Sequence, residues 1–191
     1  MKRAFDVIAS FCGLLVLSPL LLFLALWVGL SSKGGIFYCQ QRVGRHNKDF
    51  TLYKFRSMRL NADKQGLLTV GGRDSRITKA GYFIRRYKLD ELPQLFNVLL
   101  GDMSLVGPRP EVRKYVNMYS EAQKAVLNVR PGITDPASIA YRNENDILAS
   151  QNDPERYYIE QIMPAKLAIN LQYIASATFL SDIKTIFRTI V

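Results

Sequence analysis

The chain has 191 residues, 48% of them hydrophobic, and its 26 Lys and Arg against 16 Asp and Glu give a net charge of +10. This hydrophobic content excludes a disordered polyelectrolyte. Two isolated cysteines and one histidine exclude a disulfide scaffold and a zinc site of the usual Cys/His spacing. Any metal is therefore expected to be a hard cation held by carboxylates.

The N-terminal segment is uncharged over residues 7–32, which is longer than the roughly 20 residues that a membrane-crossing helix needs. A cleaved signal peptide does not fit, because the apolar part is too long and no Ala-x-Ala motif ends it. Pro19 interrupts the helix at its middle, and Ser18 can bond a carbonyl that the break frees. Basic residues flank both ends, which favours a re-entrant helix. Proline is also common in spanning helices, so these features leave both topologies open.

The segment that follows predicts a β-hairpin and then a loop. Residues 36–41 and 50–56 are rich in β-branched and aromatic residues, with turn residues between them. Residues 61–74 are polar and contain several glycines, Gly72 among them, which predicts a mobile loop. The stretch of residues 33–88 carries a net charge of +11.

Two helices are predicted around an acidic pair. Thr78 is a candidate N-cap for a short helix that runs through Tyr87. Asp90 is a candidate N-cap for the next helix, because Pro93 is tolerated in a first helical turn and Gly101 suits the C-terminal end.

The C-terminal half predicts a stiff loop and three helical segments. Two prolines and a glycine restrict residues 103–110 around Arg109. Residues 111–128 predict one continuous helix, and residues 155–175 predict a helix interrupted by proline. The last helix carries an apolar stripe that fits either a core or the membrane interface, formed by Ile183, Ile186, Phe187 and Ile190.

The chemistry-bearing candidate is the acidic pair Asp90-Glu91. The chain has no G-x-G-x-x-G, P-loop, Asp-x-Asp or G-x-S-x-G motif. For an arbitrary Asp-Glu pair, a helix cap is the commoner interpretation. The alternative is a catalytic pair near Arg85 and Arg109, in which one carboxylate attacks phosphorus and the other binds Mg²⁺.

At these residues the sequence resembles the bacterial sugar transferases, also called monotopic phosphoglycosyl transferases, as a minimal member. The long run of residues 89–110 carries most of the resemblance, and it favours the catalytic interpretation of the acidic pair. Shorter matching motifs occur at residues 2–6, 41–44, 53–58, 78–85 and 130–134.

The resemblance implies a mainly helical α+β fold in two parts. Residues 1–32 would form a re-entrant membrane helix broken at Ser18-Pro19. Residues 33–191 would form a catalytic domain with a small β-hairpin and interfacial amphipathic helices. This domain would lie on the cytoplasmic side of the inner membrane, as in a monotopic protein.

The resemblance also implies transfer of a sugar 1-phosphate from a UDP-sugar to undecaprenyl phosphate with release of UMP. Asp90 would form a covalent phosphosugar intermediate in a ping-pong scheme, and Glu91 would help to bind Mg²⁺. Arg85 would orient the pair. Implied partners are membrane lipid and downstream glycosyltransferases, and not nucleic acid. The positions implied to bind substrate phosphate are Arg109, Arg56 and Arg142.

Three departures from the family pattern stand out. Lys88 replaces a common Ser, and His46-Asn47-Lys48 replaces a usual Gly-Lys. Asp135-Pro136-Ala137-Ser138 replaces a usual Gly-Trp-Ala-Gln in a region expected to shape the nucleotide-sugar pocket. The donor sugar is therefore not implied by the resemblance.

Two other classes of protein explain part of the sequence. A membrane-anchored nucleic-acid binder would explain the basic stretch, but not the acidic pair or the stiff loop. Phosphate-rich substrates and anionic lipid headgroups account for the same charge. An inactive membrane scaffold is disfavoured by intact Asp90, Glu91 and Arg109.

Overall fold

The computed structural model describes residues 1–71 and 74–190, and of residue 190 only the backbone. The fold is mainly helical with a small β-hairpin, as expected, and it has a second two-stranded sheet that was not predicted. The strands are β1 (Phe37–Val43), β2 (Asp49–Phe55), β3 (Ser104–Val106) and β4 (Gly132–Thr134). The helices are α1 (Lys2–Val16), α2 (Ser18–Ser31), α3 (Lys79–Arg86), α4 (Gln94–Leu100), α5 (Arg113–Val116), α6 (Pro136–Ala140), α7 (Glu144–Ala149), α8 (Pro154–Tyr157), α9 (Met163–Ser176) and α10 (Phe179–Ile190).

The predicted break at Ser18-Pro19 is confirmed. The axis bends by 65° between helices α1 and α2, and Pro19 lies in the first turn of α2. The Ser18 hydroxyl donates a hydrogen bond to the carbonyl of Leu15 at 2.8 Å, so it satisfies an acceptor that the break frees. No single described helix is long and apolar enough to cross a bilayer, whereas the bent pair together has the length and composition to do so. The bend fits either a broken span or a re-entrant helix.

Charged residues of α1 attach it to the rest of the fold. The guanidinium of Arg3 donates hydrogen bonds to the carbonyls of Val98 at 2.7 Å and Leu99 at 3.1 Å, in the last turn of α4. A cation there satisfies carbonyls that have no partner within the helix. Buried Asp6 accepts a hydrogen bond from the hydroxyl of Ser104 at 2.8 Å, which links α1 to β3.

Helix α2 shares a hydrophobic core with the hairpin and α3. Leu24 and Val28 of α2 pack with Phe55 of β2 and Ile84 of α3, and all four side chains are buried. The bent pair is therefore joined to the helix that leads into the acidic pair.

The predicted hairpin is confirmed, and its turn contains His46-Asn47-Lys48, one of the three departures from the pattern that the resemblance implies. Strands β1 and β2 pair antiparallel, from Phe37 opposite Phe55 to Val43 opposite Asp49. His46 and Asn47 in the turn have φ angles of 57° and 60°, in the left-handed region where glycine is usual. The guanidinium of Arg113 donates to the Asn47 side-chain oxygen at 2.5 Å and braces the turn.

The predicted loop before α3 is present, with one side chain at its centre. Arg76 donates hydrogen bonds to the carbonyls of Ala62 at 3.1 Å, Gly66 at 2.6 Å and Leu68 at 2.5 Å. It also binds the carboxylate of Asp74 at 2.6 Å. Gly72, which entered the loop prediction, lies outside the described residues.

One predicted cap is correct and the other is wrong. The Thr78 hydroxyl accepts a hydrogen bond from the N–H of Gly81 at 2.9 Å and caps α3. Asp90 does not cap α4, because residues 89–91 form a separate 3₁₀ turn and α4 begins at Gln94 after Pro93. Gly101 ends α4 with a φ of 101°, as predicted.

The prediction of one helix over residues 111–128 is wrong. Helix α5 spans only Arg113–Val116, and a 3₁₀ turn follows at Gln123–Asn128. A capping box starts that turn, because the Ser120 N–H donates to Gln123 Oε1 at 2.8 Å and the Gln123 N–H donates to Ser120 Oγ at 3.3 Å. The break lets Tyr115 and Val126 reach the same core.

The C-terminal helices follow the prediction, and the apolar stripe is only partly covered, with Ile183 and Ile186 half-buried. A π-helical turn at Tyr158–Ile162 joins α8 to α9, with proline in the first turn of α9. In α10 the polar residues Asp182 and Thr185 are buried, while Phe187 is 65% exposed. Ile190 belongs to the predicted stripe, and its side chain lies outside the described residues.

Candidate active site

The acidic pair lies on a tight turn between α3 and α4. Lys88 opens this turn with a φ of 56°, and its carbonyl accepts a hydrogen bond from the N–H of Glu91 at 3.2 Å. Asn97 of α4 fixes the turn against β2, because its amide donates to the carbonyl of Thr51 at 2.7 Å and accepts from the N–H of Tyr53 at 3.1 Å. Lys54, which follows Tyr53 in β2, is thereby held beside the acidic pair.

Glu91 is bound by two cations. The Arg109 guanidinium donates to both of its carboxylate oxygens, with Nη1 at 3.1 Å from Oε2, and Lys54 Nζ lies 3.1 Å from Oε1. Burial opposes the charge on Glu91, but the charges of Arg109 and Lys54 outweigh it and hold the pKa of Glu91 well below its usual range. Glu91 raises the pKa of Arg109 in turn. The side chain of Glu91 is therefore an ionised, fixed hydrogen-bond acceptor.

Asp90 has the opposite environment. It is only 4% exposed, and its carboxylate forms no ion pair or hydrogen bond with any side chain of residues 1–71 and 74–190. Burial and the charge of Glu91 raise the pKa of Asp90, while Lys54, Arg85 and Lys88 partly oppose that rise. Two adjacent carboxylates are thus held in different states, one paired and one unpaired, which is how acid and nucleophile roles are separated.

Arg109 is positioned by the loop between β3 and α5. This loop passes close to β4, since a Cβ on Gly132 would lie 2.1 Å from the backbone nitrogen of Gly107. The carboxylate of Asp135 accepts a hydrogen bond from the backbone N–H of Arg109 at 3.0 Å. Asp135 also accepts from the backbone N–H of Ser138 at 2.7 Å and caps α6. The predicted loop over residues 103–110 is correct only in part, because Ser104–Val106 form β3. The carboxylate of Asp135 holds the part that carries Arg109.

Arg85 lies near the acidic pair without bonding to it. Its guanidinium donates to the hydroxyl of Thr69 at 3.0 Å and lies 3.5 Å from that of Ser57. Helix α3 sits directly against Ser57, because a Cβ on Gly81 would lie 1.8 Å from the Ser57 carbonyl oxygen. The charge of Arg85 still acts on Asp90.

Two other predicted phosphate-binding arginines are not brought to the acidic pair. Arg56 donates to the carbonyls of Phe37 at 2.8 Å and Gly35 at 3.2 Å, at the beginning of the hairpin. Arg142 is exposed in the turn after α6 and forms no hydrogen bond with the described residues. Their roles in phosphate binding stay predictions.

The structure adds three residues that sequence reasoning did not place in the site. Lys54 pairs with Glu91, Asn97 holds β2 against α4, and Asp135 holds Arg109. Asp135-Pro136 with Ser138 three residues after the Asp is a helix N-terminus pattern that was visible in the sequence. Its contact with Arg109 was not visible, because it joins distant segments.

The acidic pair offers Mg²⁺ only two carboxylate ligands. Residues 1–71 and 74–190 contain no group of three or more His, Cys, Asp or Glu that could hold a metal ion. The unpaired carboxylate of Asp90 and one remaining lone pair on Glu91 are the available donors. Mg²⁺ commonly takes one or two carboxylates and completes its shell with substrate phosphates and water, and this pair matches that mode.

The whole chain, residues 1–191, matches the bacterial sugar transferase family and belongs to it. It is 37% identical over 192 residues to the UDP-N-acetylgalactosamine-undecaprenyl-phosphate N-acetylgalactosaminephosphotransferase of Aeromonas hydrophila, covering 99% of this chain and 42% of that protein. It is 40% identical over 196 residues to the undecaprenyl-phosphate glucose phosphotransferase of Komagataeibacter xylinus, covering 99% of this chain and 35% of that protein.

A third relative has a similar length. The exopolysaccharide production protein PSS of Rhizobium leguminosarum bv. phaseoli is 38% identical over 199 residues, covering 100% of this chain and 94% of that protein. The chain therefore spans about two-fifths of the length of the first two relatives and nearly all of the third.

Proposed function

We propose that this protein transfers a sugar 1-phosphate from a UDP-sugar to undecaprenyl phosphate and releases UMP. The names of two relatives, which act on undecaprenyl phosphate with different sugars, support the reaction class. The observation that carries the proposal is the division of the acidic pair, because Glu91 is bound by Arg109 and Lys54, whereas Asp90 has no side-chain partner among the described residues. An unpaired carboxylate surrounded by cations is suited to attack a phosphate group.

The proposed reaction has two displacements at one phosphorus atom. An oxygen of ionised Asp90 attacks the β-phosphorus of the UDP-sugar, and the bond from that phosphorus to the bridging oxygen breaks. The electron pair leaves with UMP, and the sugar phosphate remains on Asp90. A phosphate oxygen of undecaprenyl phosphate then attacks the same phosphorus and displaces the Asp90 carboxylate. The product is undecaprenyl diphosphate sugar, a substrate for downstream glycosyltransferases.

The cations around the pair have separate tasks in this scheme. Glu91 holds Arg109 and Lys54 in place, and Asp135 holds the backbone of Arg109. Arg85 supplies positive charge near Asp90 and helps to keep it ionised. Glu91 would help to hold Mg²⁺, which would neutralise phosphate charge when bound.

The proposed location is the cytoplasmic face of the inner membrane, with residues 1–32 as a re-entrant anchor and residues 33–191 as the catalytic domain. The surface supports a lipid contact, because large apolar side chains are exposed on the bent pair and on α10. They include Ile8, Phe11, Leu15, Leu22, Leu26, Leu30, Leu180 and Phe187.

The test is a panel of UDP-sugars, each incubated with undecaprenyl phosphate and Mg²⁺ and assayed for UMP release. We expect release with one sugar or a few, dependent on the acceptor, and none from the Asp90→Asn variant. Labelled UMP should exchange into the UDP-sugar without acceptor, and Asp90→Asn should abolish that exchange. Exchange that survives Asp90→Asn would contradict the covalent step. Salt-dependent DNA binding with no UMP release from any UDP-sugar would favour a nucleic-acid binder instead.

A further inference from the structure

Four aromatic rings form a continuous row between the bent helix pair and the acidic turn. This aromatic row consists of Phe23 and Trp27 of α2, Phe83 of α3 and Tyr87, which follows α3. Neighbouring ring centroids are 5.9 Å apart for Phe23 and Trp27, 5.4 Å for Trp27 and Phe83, and 4.9 Å for Phe83 and Tyr87. Phe23, Phe83 and Tyr87 are 59%, 45% and 55% exposed. The row is an apolar surface on the outside of the protein.

The row ends among cations beside the proposed nucleophile. Arg86 lies over the Tyr87 ring at 5.8 Å, and exposed Lys88 follows directly. Neither cation forms an ion pair with the described residues. Asp90 is three residues beyond Tyr87, and the charge of Lys88 acts on it. The row thus runs from a segment suited to lipid to unpaired positive charge at the acidic pair.

The two helices that carry the row are held together. Leu24 and Val28, on the turns of α2 beside Trp27, are buried against Ile84 of α3. Ile84 is adjacent in sequence to Phe83, so the same packing fixes the spacing of the rings on both helices. The row is therefore a preformed surface, and a ligand would not have to order it.

We propose that the aromatic row binds the polyprenyl chain of the lipid acceptor, an inference that rests on the proposed function. The acceptor joins an apolar chain to an anionic phosphate, and the row joins an apolar surface to unpaired cations in the same order. Isoprene units pack against exposed rings by apolar contact. The phosphate then lies at Arg86 and Lys88, within reach of the phosphosugar on Asp90.

A general membrane anchor would need only scattered aromatic side chains at the interface. It would not require rings in mutual contact that lead to the acidic turn. The experiment therefore separates chain recognition from anchoring by varying the length of the acceptor. In nanodiscs of fixed lipid composition, UMP release is measured with undecaprenyl phosphate and with the short-chain geranyl phosphate.

The variants are Phe83→Ala and Tyr87→Ala, with Phe83→Leu as a variant that keeps apolar bulk. Phe187→Ala on α10 is the control for loss of an exposed ring outside the row, because that ring is 65% exposed and has no described aromatic partner. We expect each alanine variant to raise the KM for undecaprenyl phosphate about tenfold, as for loss of one good apolar contact. The KM for the UDP-sugar should stay unchanged, and the preference for the long acceptor should shrink. The KM of Phe83→Leu for undecaprenyl phosphate should lie between the values for wild type and for Phe83→Ala.

Other outcomes separate the two proposals. No transfer by the wild-type protein to either acceptor would remove the proposed function itself. An active wild type whose alanine variants keep both the acceptor KM and the length preference would overturn the role of the row. Loss of membrane flotation with unchanged length preference would identify the row as an anchor and also overturn it. A parallel rise in the KM for both substrates would indicate a structural role and count against chain binding.

Discussion

The carboxylate of Asp135 accepts a hydrogen bond from the backbone N–H of Arg109 at 3.0 Å, while the guanidinium group of the same arginine binds Glu91. Asp135 is 0% exposed. It is the first residue of the segment Asp135-Pro136-Ala137-Ser138, which departs from the pattern that the resemblance implies, and it holds a residue of the candidate site. The contact joins the loop after β4 to the loop after β3.

Asp135→Asn tests that contact. The Asn carbonyl can still accept from the Ser138 N–H and cap α6, but its NH₂ group replaces the oxygen that faces the N–H of Arg109. We expect kcat for UMP release to fall about tenfold, as a displaced site group costs roughly 1.4 kcal/mol in transition-state stabilisation. The KM for the acceptor should change little. Steady-state kinetics measure kcat and the acceptor KM, and thermal unfolding of the same sample measures its stability.

Asp153→Asn is the matched control, because Asp153 caps α8 in the same way, with the N–H of Arg156 at 3.0 Å, and is exposed. It should leave kcat unchanged. Equal kcat values for Asp135→Asn and wild type would show that the Asp135 contact has no part in positioning Arg109.

Glu91→Gln tests the paired carboxylate. The change leaves Lys54 and Arg109 without their anionic partner in a largely buried setting. Breaking such a pair costs about 3–5 kcal/mol of stability, and we expect at least a roughly hundredfold loss of kcat because two cations lose their position. The Mg²⁺ titration should shift to higher concentration.

The comparison for this change is Glu144→Gln, in which a half-buried Glu loses its pair with Lys166 at 2.6 Å, away from the acidic turn. The Glu144→Gln variant should lose stability, but its activity should depend on Mg²⁺ concentration as in wild type. A Glu91→Gln protein with an unaltered Mg²⁺ curve would remove Glu91 from the metal site.

The pH dependence of UMP exchange reports on Asp90. Its attack requires the ionised carboxylate, so exchange should be lost as pH falls through the pKa of Asp90, which burial and Glu91 raise above the usual range. Removing the positive charge of Lys88 by Lys88→Ser should raise that pKa further and move the acid limb to higher pH.

Exchange without acceptor is the right readout, because it does not involve the lipid substrate. Lys79→Ser makes the same charge change at an exposed position of α3 and should leave the acid limb in place. An acid limb that is identical in wild type and in Lys88→Ser would mean that another group controls it.

The helix break and the helix cap that were predicted correctly are formed by residues close together in the sequence. Ser18-Pro19 breaks a helix and Thr78 caps one through contacts within four residues. Lys54 reaches Glu91 from another element, 37 positions away, and Arg3 reaches Val98 from 95 positions away. Such pairings follow from tertiary packing, and no local pattern specifies them.

The acidic pair shows the same limit at the site. The resemblance singled out Asp90 and Glu91 together, and their chemistry differs because Arg109 and Lys54 pair with Glu91. The matching run of residues 89–110 includes Arg109, whereas nothing in the sequence linked Lys54 to the pair. Lys54 reaches Glu91 from β2 and Arg109 reaches it from the loop after β3, so the division between the two carboxylates is a property of the fold. The cap prediction for Asp90 was wrong because Pro93 and left-handed Lys88 favour a separate tight turn.

The break at Ser18-Pro19 determines the membrane topology. If α1 and α2 re-enter, residues 4 and 39 lie on the same side of the membrane. We expect a membrane-impermeant maleimide to label Ala4→Cys and native Cys39 from the same side in Cys12→Ser protein, since residue 4 and Cys39 are both exposed.

Pro19→Ala should favour a straight helix and decrease same-side labelling, because it restores a backbone donor at the bend. Ala25→Ser, in the same helix and away from the break, should leave the labelling unchanged. Opposite-side labelling of residues 4 and 39 in protein that retains Pro19 would make the segment a broken span.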